Sequence, residues 1–238
     1  MGTPPLRGET PPLHTKLDLE DLDGYLTIRY PPAMADFLNS SEEIEKHGSK
    51  LPHWQQGGVM QFVTFRLGDS LPKSKLIEWK NHREVFIEQN PKPWTPEKEL
   101  EFHRRFTKRF EEWLDEGAGS CLFRQSEHRE MMEAILMRFH GERVKHESWV
   151  IMPNHIHLLF KPVDRMDHLI KAWKSTFSHQ AGLGSIWQKN YRDTLIRDAK
   201  HYANAVRYIR NNPRNLPTNT ALQQNLWVNF GSGSFPSV

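Results

Sequence analysis

The run SWVIMPNHIHLLFKP, residues 148–162, admits few folds. Two apolar segments rich in β-branched and aromatic residues flank Pro153-Asn154. Proline removes a ladder donor, and a two-residue connection joins antiparallel strands, so the run reads as a β-hairpin. Its second arm alternates His155 and His157 with Ile156, Leu158 and Phe160. Successive strand side chains point to opposite faces, which puts both imidazoles on one face and the apolar residues in the core on the other. By the strand rise their Cα atoms stand ~7 Å apart, so both rings can reach one divalent ion. Two histidines on the wet side of a half-exposed sheet have the same spacing, and a bare H-x-H does not separate the two readings.

The hairpin needs partners, and the flanking pattern supplies them. GGVMQFVTFRLGDSLP reads as an opening strand between glycine turns. Residues 71–91 read as helix. After NPKPW, Thr95-Pro96 restarts a helix with an N-cap and a proline at the first position, running to Glu116 with Phe102, Phe106, Phe110 and Trp113 as a packing stripe. Following the turn GAGSCLFRQ, Ser126 to His140 is amphipathic, with Met131, Ala134, Ile135 and Phe139 inward. Beyond the hairpin, residues 165–182 carry Leu169, Ala172, Trp173 and Phe177 along one side. IWQKNYRDTLI offers a fourth strand. Asp198 caps a last helix over residues 199–211, stopped by Pro213. The order β-α-β-β-α-β with an antiparallel hairpin predicts an α+β fold of ferredoxin-like kind, an antiparallel sheet with helices packed on it.

The boundaries follow composition. Residues 1–50 form an acidic, proline-rich N-terminal extension, 51–215 the domain with a helical insertion over about 71–116, and 216–238 a tail without an assignable motif. Between Asp18 and Lys46 eight acids face two basic residues, whereas from Lys161 to Arg214 eleven basic residues face four acids. That asymmetry, in a chain of net charge only +3, is the footprint of phosphate contact or of ordinary solvated helix faces. No run is long enough to span a bilayer, and MGTPPLRGETPP lacks the apolar heart of a secretory signal. Cys121 is the single cysteine, so no internal disulfide forms; with no H-E-x-x-H either, the zinc patterns are absent. Two histidines plus an oxygen ligand suit Mg²⁺ or Mn²⁺.

A second constellation is DAKHYANAVRYIRNNPRN. At helical spacing Tyr208 shares a polar face with Asn204, His201 and Asn212, between Arg207 and Arg210. Tyr202, Ala205, Val206 and Ile209 make the core stripe. An amphipathic surface tyrosine would look the same.

The three blocks WVIMPNHIHLLFKP, AWKSTFSHQ and IWQKNYRDTLIRDAKHYANAVRYIRNNP, in that order, resemble the REP-associated tyrosine transposases, relatives of the IS200-like transposases in the HUH single-strand nuclease superfamily. The resemblance runs from about Leu51 to Asn215. It implies the HUH endonuclease/transposase fold and a metal-dependent enzyme that cuts and rejoins single-stranded DNA at hairpin (REP-like) sequences through a covalent 5′-phosphotyrosine. In that reading Tyr208 is the nucleophile, ranked above Tyr191 and Tyr202. His155 and His157 hold a divalent ion, Mg²⁺ or Mn²⁺. Asn212 stands where relatives place a glutamine ligand, with His201 and Asn204 as other candidates. Lys171, Lys174, Arg207 and Arg210 contact phosphates, and Trp173 or Trp187 could stack on a base, although Trp173 falls on a core stripe. The partner is single-stranded or hairpin DNA, with no membrane and no small-molecule cofactor. The family implies a monomer, a dimer being the alternative, in the bacterial cytoplasm at the nucleoid. The rival reading is a catalytically silent domesticated relative that holds hairpin DNA or RNA; an intact nucleophile argues against it. The insertion and the extension depart from the minimal family pattern.

Overall fold

The computed structural model describes residues 32–47 and 53–215, together with the strand Val228–Asn229. The proline-rich start and the rest of the tail lie outside the described residues.

Strands β1 (Glu45–His47) and β2 (His53–Gln55) pair as a small antiparallel sheet. The main sheet starts with β3 (Gln61–Arg66). The long excursion that follows carries α1 (Lys73–Gln89), α2 (Pro96–Phe102), a π-helical turn (His103–Lys108) and α3 (Arg109–Asp115). Next come α4 (Ser126–Met137), β4 (Val144–Ile151), β5 (His155–Pro162), α5 (Met166–Gln180), β6 (Arg192–Leu195) and α6 (Ala199–Asn211). The last strand is β7 (Val228–Asn229). The sheet order is β6-β3-β5-β4-β7, and every pairing is antiparallel. Numbered within the β-α-β-β-α-β core, that order is fourth-first-third-second, the ferredoxin-like arrangement.

Local chemistry explains the elements. The hairpin turns at Pro153-Asn154, closed by Met152 N–H donating to the His155 carbonyl at 2.9 Å. Thr95 caps α2 by accepting from Lys98 N–H, with Pro96 first in the helix. Asp198 accepts from His201 N–H at 2.7 Å and starts α6.

The two faces of the sheet bury different layers. Val63, Phe65, Leu67, Ile156, Leu158 and Phe160 pack with Ile135, Leu136, Leu169, Trp173 and Phe177 of α4 and α5. On the opposite face Phe62, Val150, Met152 and Leu159 meet Tyr202, Ala205, Val206 and Ile209 of α6. The insertion has its own core of Phe86, Phe102 and Phe106. Upstream, the fold continues past the acidic composition: Phe37 is buried in the α6 layer, Leu38 N–H donates to the Ile196 carbonyl, and Asp36 pairs with Lys161. One apolar pair inside an acidic stretch is enough to dock it.

His146 of β4 is buried at 2 % exposure in the α4/α5 layer, with Nε2 within 3.0 Å of the Leu136 carbonyl. Burial, aided by neighbouring His140, brings its pKa down to about 4 from the usual 6.5. Below pH 6.5 the unfolded chain takes up a proton that the folded chain refuses until about pH 4. Stability is therefore intact above that window and falls as pH drops through it, by on the order of 3 kcal/mol for this one group. Denaturant midpoints at pH 7 and pH 4.5 should differ clearly, and His146→Phe should reduce that difference. An equal difference in both proteins would place the proton uptake elsewhere.

Candidate active site

The α6 layer ends at a polar cluster. Register places Arg66 opposite His155 and Thr64 opposite His157, so all four side chains project from one face of the sheet. Both histidines are 1 % exposed, because α6 covers that face and the end of the insertion closes it, so the wet-surface alternative does not hold.

Hydrogen bonds set the two rings. Asn154, fully buried, donates through Nδ2 to the carbonyls of Leu114 and Ala118. That fixes its Oδ1 as the acceptor for His155 Nδ1–H at 2.8 Å. His155 thus carries its lone pair on Nε2, which lies 3.0 Å from His157 Nε2. His157 Nδ1 is 2.7 Å from the Thr64 hydroxyl, a group that can serve either tautomer. Burial lowers the pKa of His155 to about 3, with Arg66 repelling the proton as well. His157 is pushed well down by burial, then by His155 and Arg192. Both imidazoles are neutral at pH 7, the form a metal binds.

Tyr208 stands beside them. Its ring centroid is 5.0 Å from that of His157 and 5.8 Å from Phe62, edge-on to both. Its hydroxyl faces Glu111 and Asn212. Burial holds the phenol well above its ordinary range, and the carboxylates of Glu111 and Asp115 push it further; Arg192 and Asn212 act the other way. Glu111 is also raised by burial, with Arg192 opposing and its guanidinium 3.4 Å away.

The donor set fits a divalent ion. Two fixed Nε2 atoms 3.0 Å apart match adjacent ligands bound at ~2.1 Å, which stand roughly 3 Å apart. Asn212 is fully buried at the end of α6, and neither of its amide atoms has a well-formed hydrogen bond among the described residues. The Asn212 amide meets Tyr208, and its oxygen would add a hard donor to two borderline imidazoles, a set suited to Mg²⁺ or Mn²⁺.

The other sequence candidates are placed less centrally. Lys174 was grouped with the phosphate contacts, but it is buried, and its ammonium donates to the carbonyls of Gln188 and Asn190. Burial brings its pKa down to about 8. It is a strut for the loop before β6. Lys171 is exposed on a cleft of about 660 Å³, with Lys189, Trp187 and Tyr191, on the α5 side of the sheet. Arg207 and Arg210 are half-buried on α6. Trp173 is core, at 2 % exposure. Tyr191 stacks on His53 at 3.7 Å, and Tyr202 sits in the α6 layer next to Glu147. His201 accepts from Arg197 N–H at the start of α6, and Asn204 is half-buried.

No protein-family model matches the chain. A REP-associated tyrosine transposase of Escherichia coli (strain K12) is 35 % identical over 69 residues, covering 28 % of this chain and 42 % of that protein. The chain resembles the REP-associated tyrosine transposases. An uncharacterized protein of Haemophilus influenzae (strain ATCC 51907 / DSM 11121 / KW20 / Rd) is 26 % identical over 113 residues, 36 % of this chain and 62 % of its own length. The matches thus span less than two thirds of either relative. A solved structure of the REP-associated tyrosine transposase bound to a REP hairpin aligns with 70 % of this chain and 73 % of its own, at 19 % identity and a TM-score of 0.40. Among the described residues no helix is long and apolar enough to cross a membrane.

The sequence did not single out Thr64, Arg66, Asn154 or Arg192 around the paired histidines, nor Glu111 and Asp115 of the insertion. Only the placement of Glu111 and Asp115 four residues apart, one helix face, hinted at a shared target.

Proposed function

We propose that this chain is an HUH-type transposase: a metal-dependent endonuclease that cuts and rejoins single-stranded DNA at hairpin sequences through a 5′-phosphotyrosine. The observation that carries the reading is the meeting of the Tyr208 ring with His157, itself 3.0 Å from His155 through their Nε2 atoms. His155, His157 and Asn212 would hold Mg²⁺ or Mn²⁺. When bound, that ion supplies positive charge against the non-bridging oxygens of the scissile phosphate.

The chain's own groups do the rest. Tyr208 Oη attacks phosphorus and the bond to the 3′-oxygen breaks, leaving a 3′-hydroxyl and a tyrosyl ester of the 5′-phosphate. One phosphoester replaces another, so the reverse attack by a 3′-hydroxyl rejoins DNA without a nucleotide cofactor. Glu111, its proton affinity raised by burial, is the carboxylate at hand for the phenol proton. Arg192 steadies the charge that develops there. Lys171, Arg207 and Arg210 would track the strand, and Arg66, beside the histidines, adds a cation near the reacting phosphate. A REP-like hairpin is the substrate class, by analogy with the solved relative. A monomer in the bacterial cytoplasm, at the nucleoid, completes the reading.

A pure hairpin binder has no use for a half-buried tyrosine against paired imidazoles. The deciding assay incubates the protein with hairpin DNA labelled on the 3′ side of the cleavage site, with Mn²⁺. An adduct that survives denaturation is expected. Hairpin binding with no adduct under any divalent ion would return the chain to the binding-only reading.

A further inference from the structure

The insertion is longer than a crossover between β3 and β4 requires, and its end is built into the site. A π-helical turn at His103–Lys108 separates α2 from α3 and changes the phase of the helix. Phe102 before that turn and Phe106 within it face the insertion's own core; beyond it Leu114 is buried, Glu111 meets Arg192 and Asp115 faces His155. The end of α3 is then tied down. Asn154 Nδ2 donates to the carbonyls of Leu114 and Ala118, while its Oδ1 accepts from His155. Just beyond, Ser120 N–H donates to Asp69, and Gly119 passes so close that a Cβ there would lie 2.5 Å from the Asp69 carbonyl oxygen. One buried side chain therefore positions both a histidine and the helix that carries Asp115.

Asp115 Oδ1 lies 3.9 Å from His155 Nε2. Ligands bound at ~2.1 Å stand roughly 3 Å apart at right angles and roughly 4 Å apart across an ion. The 3.0 Å between the histidines matches adjacent ligands, and Asp115, 3.9 Å from His155, stands at the outer reach of an ion held between them. Charge argues the same way. Two imidazoles and an amide leave a divalent ion's charge uncompensated, and a carboxylate ligand offsets it.

We infer that Asp115, delivered by the helical insertion, is a protein ligand of the divalent ion held by His155 and His157. This rests on the two-histidine ion of the proposed function and extends it: the insertion is a working part of the centre. Among the described residues no three His, Cys, Asp or Glu side chains form a ready-made metal cluster, so the ligand role requires Asp115 to draw nearer the pair.

The test titrates Mn²⁺ into the DNA-free full chain and reads free ion by electron paramagnetic resonance. Asp115→Asn should weaken binding at least about tenfold. Glu112→Gln, exposed on the same helix, should bind as the parent does. His157→Ala should lose the site. Asp115→Cys guards against a simple folding defect: a thiolate ligand prefers softer ions, so the preference for Cd²⁺ over Mn²⁺ should rise. Unchanged affinity in Asp115→Asn and unchanged preference in Asp115→Cys, with the site lost in His157→Ala, overturns the inference and leaves the proposed function standing. Full affinity in His157→Ala overturns both.

Discussion

Tyr208→Phe abolishes the covalent protein–DNA adduct and leaves hairpin binding within about twofold, because one oxygen is removed and little else. The ring keeps its edge contacts with Phe62 and His157, so the α6 layer is undisturbed. Glu111 keeps Arg192. What disappears is the only atom of that side chain able to form a phosphoester, and loss of a nucleophile costs roughly 10³-fold or more in rate. The two rival tyrosines serve as controls. Tyr191, stacked on His53, and Tyr202, in the α6 layer, can each lose a hydroxyl without touching the histidine pair. Tyr191→Phe and Tyr202→Phe should form the adduct at the parental rate, measured as labelled DNA retained on denatured protein. An undiminished adduct in Tyr208→Phe would remove that residue from the chemistry.

The sequence carried the frame of this site further than its walls. Strand alternation over His155–Phe160 and a two-residue turn are local facts, and the folded hairpin obeys both. The last helix was equally readable, since Asp198 and the Tyr202–Ile209 stripe sit within thirteen residues of chain. Local pattern could not show what covers the histidine face. Glu111 and Asp115 lie among many charged residues of the insertion, and nothing short of tertiary packing separates a carboxylate aimed at a histidine from one in water. Lys174 was a different case. It lies four residues after Ile170 and three before Phe177, both buried, so the helical period itself placed it on the packed side. Its charge suggested phosphate; its phase foretold the carbonyls it now meets. Phe37 escaped notice for the opposite reason, because acidic neighbours set the average of a stretch in which one buried phenylalanine does much of the docking.

His157→Ala is expected to lower cleavage at least about a hundredfold and to remove its stimulation by Mn²⁺, while hairpin binding persists. Two effects must be kept apart. Truncating a fully buried ring leaves a hole beside Phe62 and Tyr208 and a hydroxyl on Thr64 without its partner, which costs about 1–3 kcal/mol of stability. A destabilised protein cleaves less simply because less of it is folded. Thr64→Val separates the two. It keeps the imidazole but removes the hydroxyl that orients it, so cation affinity should fall by about tenfold with the ring still present. Rates measured per folded molecule should then rank the parent above Thr64→Val and Thr64→Val above His157→Ala. Metal-stimulated cleavage at the parental rate in His157→Ala would exclude the ligand role. The ranking has a physical root in the burial of the pair. Enclosure under α6 and α3 strips protons from both imidazoles, so two lone pairs stand ready at neutral pH. Placing them so close is tolerable only where something positive, a shared hydrogen or a metal ion, lies between them.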